Sequence, residues 1–414
     1  MEQEQIVSPA TFTRSRRSSL IAAIFLMATS AIGPGFITQT ATFTATMGSA
    51  FAFGILASIL IDFVVQQNIW RVITLSKMNA ADIANQALPG SGYLLSILVI
   101  IGGFVFNIGN IAGAGLGLNA LVGLDPKWGG AISAILAIYI FSSKSASQII
   151  DRLIIGLGVM MIGLAIFAAC VSHPPVVPAL HQSVLPDQIS FATITTIVGG
   201  TVGGYIAYAG AHRLLDKGTV GKKYIQEVSK AATQGVIVVG LMRYILFLAI
   251  LGVVASGVTL DISSHSANPA AQAFQHVLGN WGLHLFGVIL WAAGISSVIG
   301  AAYTSVSFMS VFKQTSHDSQ RNQATIIFIV LSLIVYLFLG TAPTALLVFV
   351  GGFNGLILPI GLSIFVYVGF KRQDLLDGYR YPKWLLGLGF IVCLLTWYMG
   401  LSSVTTIFHY LKVA

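Results

Sequence analysis

Charged side chains are scarce in this sequence: Asp, Glu, Lys and Arg fill 8% of the 414 positions, where soluble globular proteins carry about 25%. That shortage excludes an ordinary water-facing surface, and with it the soluble enzyme classes. Carboxylates are the scarcer sign, 13 against 21 basic residues, and Asp62 is the one acid placed well inside an apolar run. Cysteine occurs twice, at Cys170 and Cys393, both in apolar stretches, which leaves no basis for a disulfide framework or a thiolate metal site. No Gly-x-x-x-x-Gly-Lys-Ser/Thr loop is present, so ATP-driven pumping has no support. His-Glu-x-x-His, Gly-x-Ser-x-Gly and Cys-x-x-Cys are absent too, and neither enzymatic activity nor a cofactor is expected.

What fills the space is apolar: 56% of the residues are hydrophobic and the mean hydropathy is +0.87. Runs of about 20 apolar residues match the thickness of a bilayer, and in lipid they must be helical because nothing else satisfies the backbone. The expected spans are 20–45, 50–72, 93–121, 128–142, 150–171, 190–212, 232–257, 281–309, 322–340, 343–369 and 384–408. This is an all-α integral membrane protein with eleven expected transmembrane helices, a tail over 1–19 and one transmembrane domain over 20–409.

With the N-terminus in the cytoplasm, only Lys127 and Lys412 fall outside and Arg243 falls within a span; every other basic residue lies in a cytoplasmic segment. The positive-inside rule therefore supports the count and places the C-terminus outside, in a plasma (inner) membrane. It also explains the net charge of +8 without nucleic acid: the basic run from Arg213 to Lys230 faces anionic lipid. The sequence carries no signal of oligomeric state.

Glycine-rich stretches such as Gly113-Ala114-Gly115-Leu116-Gly117 suit close helix approach in lipid. Three places differ. The first span opens with Gly33-Pro34-Gly35, the sixth holds Gly199-Gly200-Thr201-Val202-Gly203-Gly204 before Tyr205, and the tenth carries Gly351-Gly352-Phe353-Asn354-Gly355 and Pro359. Interrupted spans five apart point to an inverted-repeat transporter with its site at the bilayer midplane.

Gly33-Pro34-Gly35, the run Ala114 to Asn119, Leu285-Phe286 leading to Ala293-Gly294-Ile295-Ser296-Ser297, and Leu346-Leu347-Val348 with Leu358-Pro359 together resemble the Nramp (natural resistance-associated macrophage protein) divalent-metal transporters. The resemblance implies a leucine-transporter-like fold, with repeats over about 20–171 and 190–369 plus a helix over 384–408. Helices 1 and 6 would be unwound at mid-membrane, and transport would proceed by alternating access.

Family members hold metal with Asp-Pro-Gly-Asn in the first span and Met-Pro-His in the sixth. Here the segment 38–47 is expected at the first motif's place, and Gly203-Gly204-Tyr205 stands at the second. The family's third-span Asp and Glu match Asn107 and Asn110, and its tenth-span Gln matches Gly351. The carboxylates are gone while the scaffold remains, so the sequence describes a divergent branch without the metal-binding motifs.

The expected substrate groups are Thr38, Gln39, Thr40, Thr42, Thr44, Asn107, Asn110, Gly203, Gly204, Tyr205, Tyr208, Ser296, Gly351 and Asn354, a neutral hydrogen-bonding set with no metal ligands assigned. For the threonines, bonding to their own helix is the alternative. Asp62 and Arg243 form an internal ion pair, a cytoplasmic gate or, for Asp62, a proton carrier; Arg243 is placed near the inner boundary. His212 couples protons or sits at the interface.

The reading is a secondary transporter, with H⁺ or Na⁺ as coupling ion, importing a small organic solute, a carboxylate or amino-acid-like molecule such as 5-oxoproline. A divalent cation (Mn, Fe or Mg) is the alternative cargo, and a non-transporting receptor or scaffold the third reading.

Overall fold

In the computed structural model the described residues are 9–143, 159–264, 267–312, 318–339 and 343–410, and every element among them is helical. The first part of the expected span over 150–171, and Lys144, Arg152, His265, Lys313 and Lys412, lie outside the described residues. In chain order the helices are α1 (Pro9–Ala31), α2 (Pro34–Met47), α3 (Phe51–Ser76), α4 (Ala80–Ala87), α5 (Ser91–Val122) and α6 (Pro126–Ser142). α7 (Val159–Val171) and α8 (Val176–Val184) follow, bent by 110° against each other. The remainder are α9 (Phe191–Val202), α10 (Ile206–Asp216), α11 (Ile225–Ala255), α12 (Pro269–Ser307), α13 (Asp318–Leu339), α14 (Pro343–Lys371) and α15 (Lys383–His409).

Among the described residues, seven helical stretches are long and apolar enough to cross a membrane, or eight with the α7–α8 pair. The expected eleven depends on reading α1 with α2, and α9 with α10, as halves of one span each. It also divides the continuous run Pro34–Ser76 in two. Gly48, at φ +54 and ψ −135, turns the chain there. Phe43 and Phe51 meet ring to ring at 5.7 Å, whereas eight residues of straight helix would hold them about 12 Å apart.

Small residues set the packing. Gly117 and Gly287 bring α5 and α12 backbone to backbone, and Gly294 rests on Ala114. Gly199 and Gly355 let α9 approach α14 so closely that an added Cβ on either would strike backbone of the other helix. Gly210 of α10 makes room for the indole of Trp70 on α3, which is fully buried. Without a hydrophobic force between helices in lipid, such close approach is what holds a bundle together.

α14 is a continuous helix, although its Gly351-Gly352 pair and Pro359 read as an interruption in sequence. Ser363 bonds the Pro359 carbonyl at 2.6 Å. The glycines are occupied from outside, Gly351 by Gln39 and Gly352 by Ile407, so they serve helix approach and leave the helix unbroken.

Candidate functional site

Besides the α7–α8 bend and a kink in α12 at Gly279, two further breaks among the described residues are ringed by buried polar side chains. Between α1 and α2 the chain passes through Ile32 and Gly33, with Gly33 extended at φ −96 and ψ −175 and Pro34 opening α2. Proline suits the first helical position because its missing N–H has no partner there. Between α9 and α10 it passes through Gly203 (φ −78, ψ 160), Gly204 (φ +55) and Tyr205. Only glycine takes the left-handed conformation of Gly204 without cost.

The expected unwound segment 38–47 is therefore corrected: it is helix, and the break falls on Gly33 itself. The reason lies in local chemistry. Thr40 bonds the carbonyl of Phe36 at 2.7 Å, Thr44 that of Thr40 at 2.6 Å and Thr46 that of Thr42 at 3.0 Å. These hydroxyls serve their own helix, while Thr42 Oγ1 has no partner among the described residues and Thr38 is buried.

Around Gly33 stand Asn110 of α5 and Ser297 of α12, whose Oγ would lie 2.9 Å from an added Cβ. Of the adjacent serines it is Ser297 that faces the break; Ser296 bonds the carbonyl of Ala293 in its own helix at 2.9 Å. Around the second break stands Asn354 of α14, which donates to the carbonyls of Gly102 at 3.1 Å and Val350 at 3.0 Å. Its Oδ1 is aimed at Gly204. Tyr205 packs edge-on against Phe106 at 5.5 Å, beside the Asn110 side chain.

Gln39 of α2, fully buried, donates to the Leu347 carbonyl at 3.0 Å and fills the space over Gly200, three residues before Gly203, and over Gly351. The carboxamide that the Nramp resemblance places at position 351 thus arrives from α2 instead. Gln39 Oε1, Asn110 Nδ2, Asn354 Oδ1 and Ser297 Oγ are all buried without a hydrogen-bond partner among the described residues.

Other expected site residues lie elsewhere. Asn107 donates to Ser332 of α13 at 3.2 Å. Tyr208 joins an aromatic cluster with Phe308 at 5.2 Å and Phe365 at 5.8 Å. His212 accepts from the N–H of Ala80 at 3.2 Å, fixing the start of α4 on α10. It is buried within the protein.

Arg243 turns its head group into the bundle. It lies past the middle of α11 and is 1% exposed, so its head group is enclosed by protein. Its guanidinium covers the ring of Phe36 at 4.1 Å, and Nη1 donates to the Ile197 carbonyl at 3.2 Å. Asp62 of α3 is 4% exposed, beside Thr201 and within electrostatic range of Arg243. Phe36 and Ser305 are site neighbours that the sequence does not single out; Ser305 fills the space over Gly103 with a hydroxyl that has no partner among the described residues.

Residues 24–406 match the family described as natural resistance-associated macrophage protein-like, Nramp. An uncharacterized membrane protein of Haemophilus influenzae is 48% identical over 96% of this chain and 98% of its own length. The uncharacterized membrane protein YcsG of Bacillus subtilis is 48% identical over 94% and 95%. Among solved structures, the manganese transporter of Eremococcus coleocola superposes with a TM-score of 0.72 over 98% of this chain and 90% of that one, at 13% identity. MhsT in complex with L-phenylalanine does so with 0.62 over 92% and 98%, at 18% identity. The fold is that of the leucine-transporter-like membrane carriers, and the chain belongs to the Nramp family of transporters.

Proposed function

We propose that this Nramp-family transporter imports a small organic solute by alternating access across a bacterial plasma membrane, with its N-terminus in the cytoplasm and its C-terminus outside. The substrate sits between the two helix breaks. The observation that carries this reading is the set of four neutral polar groups there, Gln39, Asn110, Ser297 and Asn354, each with a buried atom lacking a partner. Buried polar atoms in native proteins are nearly always paired, and a hydrogen-bonding solute supplies the missing partners.

A divalent cation asks for something else. Mn²⁺ is best held by carboxylates, imidazoles or several oxygens, and among the described residues no three His, Cys, Asp or Glu come together. The buried Arg243 cation opposes a second positive charge nearby. The bacterial relatives favour a bacterial membrane, and the L-phenylalanine held by MhsT supports an organic cargo on this architecture. Among the described residues Asp62 is the buried acid beside a break, next to Thr201, and the natural carrier of a coupling H⁺ or Na⁺.

The second reading, a divalent-metal carrier, is favoured by the manganese transporter among the structural neighbours. Uptake into proteoliposomes separates the two. Radiolabelled small organic acids and amino acids should accumulate to the same level with and without EDTA. Accumulation of ⁵⁴Mn²⁺ with no organic uptake would overturn the organic-solute reading.

A further inference from the structure

A guanidinium presents five N–H donors in one rigid plane, and Arg243 uses few of them. Nη1 reaches the Ile197 carbonyl and the flat face rests on Phe36, while Nε and Nη2 have no hydrogen-bond partner among the described residues. Those two nitrogens share one edge, and their parallel N–H bonds are the pair that grips a carboxylate bidentately. Asp62 does not hydrogen-bond that edge, and among the described residues its own Oδ1 is without a partner as well.

The position of this edge ties it to the broken helices. Phe36 is the third residue after Gly33 on α2, and Ile197 precedes Gly203 by six residues on α9. The two groups that fix the guanidinium therefore belong to the two halves whose ends form the breaks. A charge buried in a low dielectric is costly unless paired and hydrogen-bonded, and here the pairing is left half complete.

We propose that the Nε and Nη2 edge of Arg243 anchors the carboxylate of a small monocarboxylate substrate, which narrows the cargo to organic anions. The inference rests on the organic-solute reading above. Gln39, Asn110, Ser297 and Asn354 are then left to the uncharged part of the molecule. Asp62 acts as the competing anion, since the substrate carboxylate and Asp62 face the same cation.

The test uses the full-length protein in detergent. Acetate, lactate and 5-oxoproline are each compared with the corresponding primary amide, which keeps the shape and loses the negative charge. At least one acid should raise the melting temperature where its amide does not. For that acid, Arg243→Gln should weaken binding about tenfold to a hundredfold. Arg243→Lys keeps the cation but loses the fork, and should weaken binding as well. Asp62→Asn should tighten it about fivefold or more.

An acid and amide of equal effect, no effect from any acid, or either Arg243 variant binding the acid as the native protein does would overturn the anchor. An uncharged solute bound equally by native protein and Arg243→Gln also overturns it but leaves the organic-solute reading standing. Stabilisation by Mn²⁺ with none by any organic compound overturns both.

Discussion

Asp62→Ala should destabilise the purified protein by about 3 kcal/mol, the scale found when one partner of a buried charge pair is removed. Arg243 is 1% exposed and its other contacts are the Ile197 carbonyl and the Phe36 ring. Without Asp62, the bundle would hold a cation with no countercharge in electrostatic range among the described residues. The companion result is a rescue. Arg243→Gln in the Asp62→Ala background should recover most of the lost melting temperature, because a core with neither charge no longer has to solvate one. Melting curves of the two single variants and the double variant form a double-mutant cycle; additive losses would mean that the two charges do not communicate.

Gly204→Ala should reduce uptake at least as sharply as stability. At φ +55 an L side chain pays roughly 1–2 kcal/mol, and the added Cβ would press into Asn354 Oδ1, with overpacking adding about 1–3 kcal/mol. Asn354 is held on both sides, by Gly102 and by its own helix, so the break has to yield. Gly300→Ala is the control, since nothing lies within 4 Å of its added Cβ, and it should stay within about 0.5 kcal/mol of native. Equal uptake by the two variants would remove the α9–α10 break from the transport path.

Most of the fold was legible because a bilayer leaves few choices. Apolar runs of the right length must be helices, and the run Gly199 to Tyr205 announced one of the two breaks through paired glycines. The other break was signalled less sharply, because the family motif's place fell on 38–47, which is helix. Gly33-Pro34-Gly35 reads equally well as the opening of a helix, which Pro34 does provide, and only the extended Gly33 shows that a helix also ends there. The threonines of α2 looked like a ligand series, yet Thr40 and Thr44 bond within the helix, an outcome that spacing cannot separate from binding.

Depth was the harder property to read. Arg243 is one basic residue in a long helix, and hydropathy does not say whether its stem snorkels to an interface or its head group turns inward onto Phe36. Contacts between distant segments were hidden for the same reason. Gln39 and Gly351 are neighbours in space, and Asn107 turns to Ser332; neither follows from position along the chain. Four of the expected polar groups, Gln39, Asn110, Tyr205 and Asn354, do stand at or between the breaks, and Ser297 joins them.

An anomalous difference map at the manganese edge, from crystals of the full-length protein grown with both Mn²⁺ and a stabilising organic acid, sets the two cargoes against each other in one experiment. Organic density between Gly33 and Gly204, reaching Arg243 and carrying no manganese signal, is the expected result. A manganese peak seated between the two helix breaks would contradict the reading of this site as a pocket for an organic solute.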